Sequence, residues 1–267
     1  MDPFQRSATI PAVYIPHGGG PAFFMRGPMA EIFAPMAEFL ASFDTLLSQR
    51  PRAIVVISAH WESDIVEVST SAAPGLLYDY FGFPAETYQI AYPAPGAPEL
   101  AMQILSLMED AGLAVRGESS RGWDHGVFIP LKVMYPEATI PVVAVSLRGD
   151  FDPMHHADVG RALRPLRDDG VLIIGSGMSY HNLSRFEGAR PSAEFHKWLD
   201  SALDGDAAHR ERHLNAWASA PSGRASYPRE EHLLPLMVVS GSGSDAPAQR
   251  IWSGSVGPTE VGAWAFN

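Results

Sequence analysis

Histidines are the side chains in this sequence best suited to chemistry. The 267-residue chain has ten histidines and no cysteine. Three of them follow apolar, strand-like segments: His17 in YIPHGGGP, His60 in VVISAHW and His181 in VLIIGSGMSYHNL. Ligands of open α/β sheets bind beyond the carboxyl ends of the strands, so these imidazoles are expected to converge at one sheet edge. One such histidine alone is more often structural, but three at equivalent places favour a site for iron or zinc.

Two further histidines lie beside acidic residues. His125, in GWDHGVFIPLKVMYP, follows Asp124, which would either orient an imidazole or cap the next helix, the second role being the more common. His232, in YPREEHLLPL, follows Glu230 and Glu231. That acidic pair suits the first turn of a helix, and either His232 or a neighbouring glutamate would also suit a metal. The other five histidines are interpreted as solvated surface residues: His155, His156, His196, His209 and His213.

Composition and missing motifs exclude several classes of protein. Without cysteine, the chain has no disulfides, thiolate zinc sites, iron–sulfur clusters or cysteine nucleophile. A net charge of −11 disfavours partners such as nucleic acid or an anionic membrane. HGGGP does not fit the GxxxxGK[ST] pattern of a phosphate-binding loop. It resembles the oxyanion loop of esterases, but the chain has no GxSxG motif, so a serine hydrolase is not expected. No stretch approaches the ~20 apolar residues of a membrane span and no signal peptide is evident, so a cytoplasmic enzyme is expected.

Apolar runs alternate with helical patterns along the chain. The continuous, mostly Val- and Ile-rich runs are typical of strands buried on both faces: Ala12–Ile15, Ala53–Ser58, Ile140–Leu147, Val171–Ile174 and Leu236–Val239, the last equally compatible with a helix. Helical spacing of apolar residues covers four segments: Pro28–Leu47, Pro98–Ala111, Asp152–Leu166 and Ser192–Ala218. The alternation predicts a single α/β domain over residues 1–267, with a mostly parallel or mixed central sheet and helices on both faces.

Two irregular segments and several aromatic residues accompany the histidine motifs. Residues 72–96 are rich in Pro, Gly and Tyr and are expected to form a long ordered loop bordering an active site, whereas residues 241–257, rich in Gly and Ser, are expected to be exposed. Core positions are common for aromatic side chains, but several together beside polar histidines suit a flat apolar substrate. The candidates for substrate binding are Phe24, Trp61, Tyr80 and Trp123.

Taken together and in order, these motifs resemble the class III extradiol ring-cleavage dioxygenases, specifically the DOPA 4,5-dioxygenase-like branch. The matching segments span most of the chain: PHGGGPAFFM (16–25), ISAHWE (57–62), YDYFGFP (78–84), GWDHGVFIPLKVMYP (122–136), GSGMSYHNL (175–183) and EEHLLPL (230–236). The resemblance implies an α/β fold with one mononuclear metal site. HGGGP departs from the HGSP of many members, and this difference bears on the substrate class more than on metal binding.

The resemblance also implies roles for individual residues. His17 and His60 fall on metal-ligand positions, and His232 falls on the third, which is a glutamate in a related branch, so Glu231 stays an alternative. His181 falls on a position that is either a fourth ligand or an acid/base residue. His125 falls on a histidine that acts as an acid/base or binds substrate.

The implied cofactor is one divalent metal ion per chain, Fe(II) for dioxygenase activity, with Zn(II) an alternative occupant in purified protein. The implied reaction uses O2 to open a catechol-type diol to a muconic semialdehyde. A zinc-dependent hydrolase on the same histidines and a non-catalytic metal-binding relative are the alternatives. The substrate, the ring-cleavage position and the native metal stay open, and the apolar content is compatible with a homodimer.

Overall fold

One mixed sheet organises the part of the chain that the structure, a computed structural model, describes: residues 9–184 and 189–267. The eight strands found in these ranges are β1 (Ala12–Pro16), β2 (Ala53–Ser63), β3 (Val66–Ser69), β4 (Val115–Glu118), β5 (Val142–Arg148), β6 (Val171–Gly177), β7 (Gln249–Val256) and β8 (Thr259–Phe266). They lie side by side in the order β4-β3-β5-β2-β6-β1-β8-β7.

The four central strands, β5, β2, β6 and β1, are mutually parallel, whereas β3 pairs antiparallel with β5, and β8 with both β1 and β7. In register, Pro16 lies opposite Gly177 and Ser58 opposite Ser176. The carboxyl ends of β1, β2 and β6 therefore meet at one edge of the sheet, where ligands of such folds bind. The predicted α/β class with a mixed sheet is confirmed.

Eight helices in the described ranges cover the sheet: α1 (Pro28–Ser42), α2 (Pro98–Asp110), α3 (His125–Met134), α4 (Pro153–Leu163), α5 (Ala189–Leu203), α6 (Ala207–Asn215), α7 (Gly223–Ser226) and α8 (Leu234–Ser242). Proline opens α1, α2 and α4, where its missing N–H would have no helical partner in any case. Within the same ranges, no helix combines the length and the apolar character needed to cross a bilayer.

The core has two halves, one on each face of the sheet. Val55 and Ile57 of β2 point to the half packed by α2, α4, α5 and α8. Ile54 and Val56, which alternate with them, point to the half packed by α1 and α3. This alternation explains the continuous apolar runs, because both faces of a covered sheet exclude water.

Several predicted elements differ from the structure. The ambiguous run Leu236–Val239 lies inside helix α8, which is buried almost all round and therefore lacks an amphipathic pattern. The single helix predicted over Ser192–Ala218 is two helices, α5 and α6, and Asp206 caps the second by accepting a hydrogen bond from the His209 N–H. The segment 241–257 was expected to be irregular, yet it contains the edge strand β7.

The interpretation of His155, His156 and His196 as solvated surface residues is wrong, because all three are buried. Burial of a neutral imidazole is tolerated where both ring nitrogens have partners. His156 Nδ1–H donates to the Asp152 carbonyl oxygen, and its Nε2 accepts from the Arg148 backbone N–H. In His196, Nδ1 contacts the Ser192 carbonyl oxygen and Nε2 lies 2.9 Å from the Ser179 hydroxyl. His209 and His213 are half-exposed.

Candidate metal centre and active site

The structure brings five imidazoles together at the carboxyl edge of the sheet. Neighbouring ring centroids in this cluster lie between 3.4 and 5.3 Å apart. All five border one cavity of about 530 Å³. The five are His17, His60, His125, His181 and His232, and we refer to them as the histidine cluster.

His17, immediately after β1, has a defined tautomer. Its Nδ1 lies 3.0 Å from the Ser176 hydroxyl, and that hydroxyl donates its own hydrogen to the Gly126 carbonyl oxygen. The serine oxygen must therefore accept, so His17 carries its proton on Nδ1 and presents the Nε2 lone pair to the cavity. Burial, together with the neighbouring imidazoles, holds the pKa of His17 well below its usual range. A neutral ring with a free Nε2 is the form that binds a metal.

His60 faces His17 from the end of β2. The pairing of β2 with β5 shifts register between Ile57 and Glu62, and such irregularities often re-aim a side chain beside a site. The Nε2 atoms of His60 and His17 are 3.2 Å apart. Two imidazole nitrogens bound at about 2.0–2.1 Å to one tetrahedral ion lie roughly 3.3 Å apart, so the pair has the spacing of two ligands. Burial is the main cause that lowers the pKa of His60 to about 3.

His232 and His181 share one carboxylate. Glu231 Oε1 lies 2.9 Å from His232 Nδ1 and 3.1 Å from His181 Nδ1, and the two rings stack with centroids 3.4 Å apart. A carboxylate that accepts Nδ1–H leaves the Nε2 lone pair facing outward, the usual support of a metal-binding histidine. Burial, followed by the effect of nearby imidazoles, holds the pKa of His232 well below its ordinary value.

Backbone contacts fix the position of His232 just before α8. Its carbonyl oxygen accepts a hydrogen bond of 2.6 Å from the Tyr14 hydroxyl. A Cβ on Gly177, the last residue of β6, would lie 2.2 Å from the same carbonyl oxygen, so only glycine permits this approach. The end of β6 and the start of α8 are therefore in direct contact, which brings His232 to the site.

His125 opens α3 and is held by Asp79, a residue that sequence reasoning did not select. Asp79 Oδ1 accepts from the backbone N–H of His125 at 2.9 Å and from its ring Nδ1 at 2.8 Å. Burial raises the pKa of Asp79, but the hydrogen bonds from His125 and the nearby imidazoles outweigh it, so the net pKa lies below the ordinary value. Asp79 lies in the YDYFGFP segment, one of the segments that resemble the family, and that resemblance was a sequence signal that could have identified it.

Asp124 neither orients an imidazole nor caps α3 with its side chain. Its carboxylate accepts from the Ser58 hydroxyl at 2.6 Å and from Arg121 at 3.1 Å, and no cap hydrogen bond is formed. A Cβ on Gly126 would lie 2.5 Å from the Ser58 hydroxyl oxygen. The glycine after His125 therefore lets the start of α3 approach β2, and Asp124 secures that approach.

The four aromatic residues selected from the sequence lie around the site but do not border the cavity. Trp61 donates its ring N–H to Glu67, and Trp123 is buried in the core. The Tyr80 hydroxyl donates to the Thr87 carbonyl oxygen, and its ring centroid is 6.0 Å from that of His125. Phe24 is half-buried beside Lys132. Aromatic side chains that do border the cavity are Phe33, Phe83 and Tyr180.

Among the described residues, two groups have ligand atoms within 4.8 Å of one another: His17, His60 and His125 in one, and His181, Glu231 and His232 in the other. Both belong to the histidine cluster with its supporting carboxylates. A cluster of imidazoles oriented by carboxylates at the carboxyl ends of parallel strands is typical of a non-haem metal enzyme.

Comparison with known proteins agrees with a metal-enzyme class and identifies the family within it. The family described as the catalytic LigB subunit of aromatic ring-opening dioxygenase matches residues 10–265. The chain belongs to this family, and it is an extradiol aromatic ring-opening dioxygenase.

Individual relatives cover most of the chain. A 4,5-DOPA dioxygenase extradiol of Beta vulgaris is 41% identical over 83% of this chain and 86% of its own length. The dioxygenase tasH of Hapsidospora irregularis is 36% identical over 89% of this chain and 79% of its own length. A crystal structure of an uncharacterized Escherichia coli protein has a TM-score of 0.77 at 27% identity and covers 97% of this chain and 100% of that one.

Proposed function

We propose that this enzyme binds one Fe(II) ion through His17, His60 and His232 and uses O2 to open a catechol-type diol to a muconic semialdehyde. The single observation that carries the proposal is the convergence of the histidine cluster on the cavity, with the Nε2 atoms of His17 and His60 3.2 Å apart. Family membership supports the ring-opening chemistry.

The donor set fits such an ion. His17 Nδ1–H is engaged by Ser176, and His232 Nδ1 by Glu231, so in both residues Nε2 is free for the metal. With its Oε1 occupied by two imidazoles, Glu231 suits a supporting role better than that of a ligand. His181 stacks on His232, and it is assigned here as an acid/base residue, a fourth-ligand role being the alternative.

When bound, the metal supplies Lewis acidity for the diol and the redox chemistry that activates O2. The protein supplies proton transfer. His125 is held through Nδ1–H by Asp79, so its Nε2 accepts a proton from a diol hydroxyl. His181, the more exposed partner of Glu231, exchanges a proton with the opposite side of the substrate. Many of the side chains that border the cavity are apolar and suit an aromatic ring.

The test is reconstitution with Fe(II) under anaerobic conditions, followed by O2 uptake with a panel of catechols and absorbance of the yellow ring-opened product. One O2 consumed per diol with coloured product supports the proposal. Full iron occupancy without uptake on any diol contradicts it and favours the zinc hydrolase, which esters and amides would then test. The mass of the protein in solution tests the predicted homodimer. Cell fractionation tests the predicted cytoplasmic location.

A matched pair of variants ties the activity to the cluster. His17→Ala removes one proposed ligand, whereas His209→Ala changes the same residue type on the half-exposed surface of α6. Stoichiometric iron should be lost from the first protein alone. Retention of one iron per chain in His17→Ala would contradict the ligand assignment.

A further inference from the structure

The cavity beside the histidine cluster is larger and more apolar than a bare diol requires. Its volume of about 530 Å³ lies within the roughly 300–1,000 Å³ of sites that hold drug-sized ligands, and a catechol ring is much smaller than such a ligand. The ring must lie against the histidines for the reaction. Much of the cavity is therefore left for a substituent on the ring.

Two elements provide apolar walls for that remaining space. Helix α1 contributes Met29, Ile32 and Phe33, and the β7–β8 hairpin contributes Val256 and Val261. The two elements pack on one another through Phe39 and Trp252, whose rings stack with centroids 5.2 Å apart. Both walls therefore belong to one packed unit, and the space beside them is a formed cavity.

Apolar side chains of this cavity are also left partly in water. Met29 is 39% exposed, Ile32 is 42% exposed and Leu183 is 65% exposed, and all three border the cavity. Large apolar side chains in contact with solvent at a cavity are typical of a binding surface that a ligand covers. A substituent that extends from the reacting ring towards solvent would therefore also contact apolar side chains.

The charges near the cavity disfavour a substrate carboxylate. Among the described residues that border it, none is Lys, Arg, Asp or Glu. Arg121 donates to the His60 carbonyl oxygen and to Asp124, and Arg229 pairs with Glu62. The carboxylates of Asp79 and Glu231 stand directly behind cluster imidazoles and would repel a second anion.

Resting on the proposed function, we infer that the preferred substrate is an ortho-diol ring bearing a large, uncharged apolar substituent that extends along α1 and the β7–β8 hairpin. An apolar substituent gains from leaving water in such a cavity. An ionised substituent would lose its hydration without gaining a partner. The selectivity is thus set by walls that do not touch the reacting atoms, so it is expected in KM more than in kcat.

The experiment compares 4-butylcatechol with its carboxylate counterpart, 3-(3,4-dihydroxyphenyl)propionate, and with DOPA, using the Fe(II)-loaded protein. We expect kcat/KM for 4-butylcatechol to exceed both others by at least about tenfold, mainly through KM. In parallel, calorimetry of the Zn(II)-loaded protein measures binding of the same diols without turnover. Equal or better use of either charged diol overturns the inference, while the ring-opening function stands.

A wall variant sharpens the test. Ile32→Lys places a cation on the α1 wall and should raise KM for 4-butylcatechol while lowering KM for the propionate, at least a tenfold change in their ratio. Met102→Lys is the matched control, because Met102 is exposed on α2 and does not border the cavity. An unchanged ratio in Ile32→Lys overturns the inference. Preferential binding of 4-butylcatechol by a protein that cleaves no diol would overturn the proposed function and leave the inference about the cavity intact.

Discussion

The carboxylate of Asp79 accepts both the backbone N–H and the ring Nδ1–H of His125, at 2.9 and 2.8 Å. One side chain therefore fixes both the start of α3 and the tautomer of the imidazole at its first position. A ring held in this way offers only Nε2 to the cavity, as a general base requires. The loop carrying Asp79 thus supports the proposed active site, although Asp79 itself does not border the cavity.

Replacement of Asp79 should therefore reduce catalysis without removing the metal. In Asp79→Asn the neutral amide no longer favours Nδ1–H or the imidazolium that forms on proton transfer. We expect kcat to fall roughly 10- to 100-fold, since general acid–base catalysis contributes about 10²–10⁴ in total. Steady-state kinetics and metal analysis on the same sample check this.

The matched control for that variant is Asp110→Asn, at an exposed position at the end of α2. It should leave kcat and the pH profile unchanged, whereas Asp79→Asn should alter the pH profile of kcat. Normal turnover in Asp79→Asn, or loss of its metal, would show that the contact between Asp79 and His125 is structural only.

Glu231 is expected to control metal affinity rather than bind the metal. Glu231→Gln removes the charge that two imidazole Nδ1–H groups share, and substitutions of such supporting groups typically weaken metal binding by roughly 10- to 100-fold. Competition with a chelator measures the change. Glu230→Gln, next to it and paired with Arg224 instead, should keep the original affinity. Complete loss of stoichiometric metal in Glu231→Gln would instead indicate a direct ligand.

The third ligand can be assigned by comparing two alanine variants. The spacing of ligand atoms groups His125 with His17 and His60, whereas the proposed function uses His232. We expect His125→Ala to retain one metal per chain and lose turnover, because the role proposed for its Nε2 is proton transfer and not metal binding. We expect His232→Ala to lose the metal. The reverse pattern of metal contents would reassign the centre to the first group.

The sequence predicted the convergence of His17 and His60 because strand register determines it. His17 follows β1 and His60 lies in the carboxyl-terminal part of β2, and parallel strands of similar register end at the same edge of the sheet. Asp79 was not predicted, since a loop residue reaches its partner through tertiary packing that carries no periodic signal. Trp61 and Trp123 were selected by proximity along the chain to the motifs. Trp61 follows His60 within β2, where neighbouring residues point to opposite faces, and Trp123 lies in the segment before α3. Neither residue borders the cavity: Trp61 donates its ring N–H to Glu67, and Trp123 is buried in the core.

The prediction that His155, His156 and His196 are exposed was wrong for a related reason. A polar residue in a helical pattern is ordinarily solvent-exposed. The pattern does not show whether hydrogen-bond partners for the imidazole nitrogens are present elsewhere in the fold. His156 is 1% exposed because a carbonyl oxygen and a backbone N–H satisfy both of its nitrogens. That environment suits the neutral ring only, and burial lowers the pKa of His156 to about 4.

A depressed histidine pKa predicts acid lability with a definite sign. Above the ordinary pKa of 6.5, His156 is neutral in both folded and unfolded chains, and its contribution to stability is complete. As the pH falls from 6.5 towards 4, the unfolded chain binds a proton that the folded chain refuses, so stability is lost by up to roughly 3 kcal/mol. Between pH 7 and 5 the loss should be about 2 kcal/mol.

His156→Gln tests this, because glutamine does not titrate. The variant should be less stable than wild type at pH 7, but its free energy of unfolding should fall by about 2 kcal/mol less than that of wild type between pH 7 and 5. Urea titrations at both values measure it, with His209→Gln on the half-exposed face of α6 as the control that keeps the wild-type pH dependence. Identical pH dependence in wild type and His156→Gln would mean that other groups, and not this buried imidazole, account for the acid sensitivity.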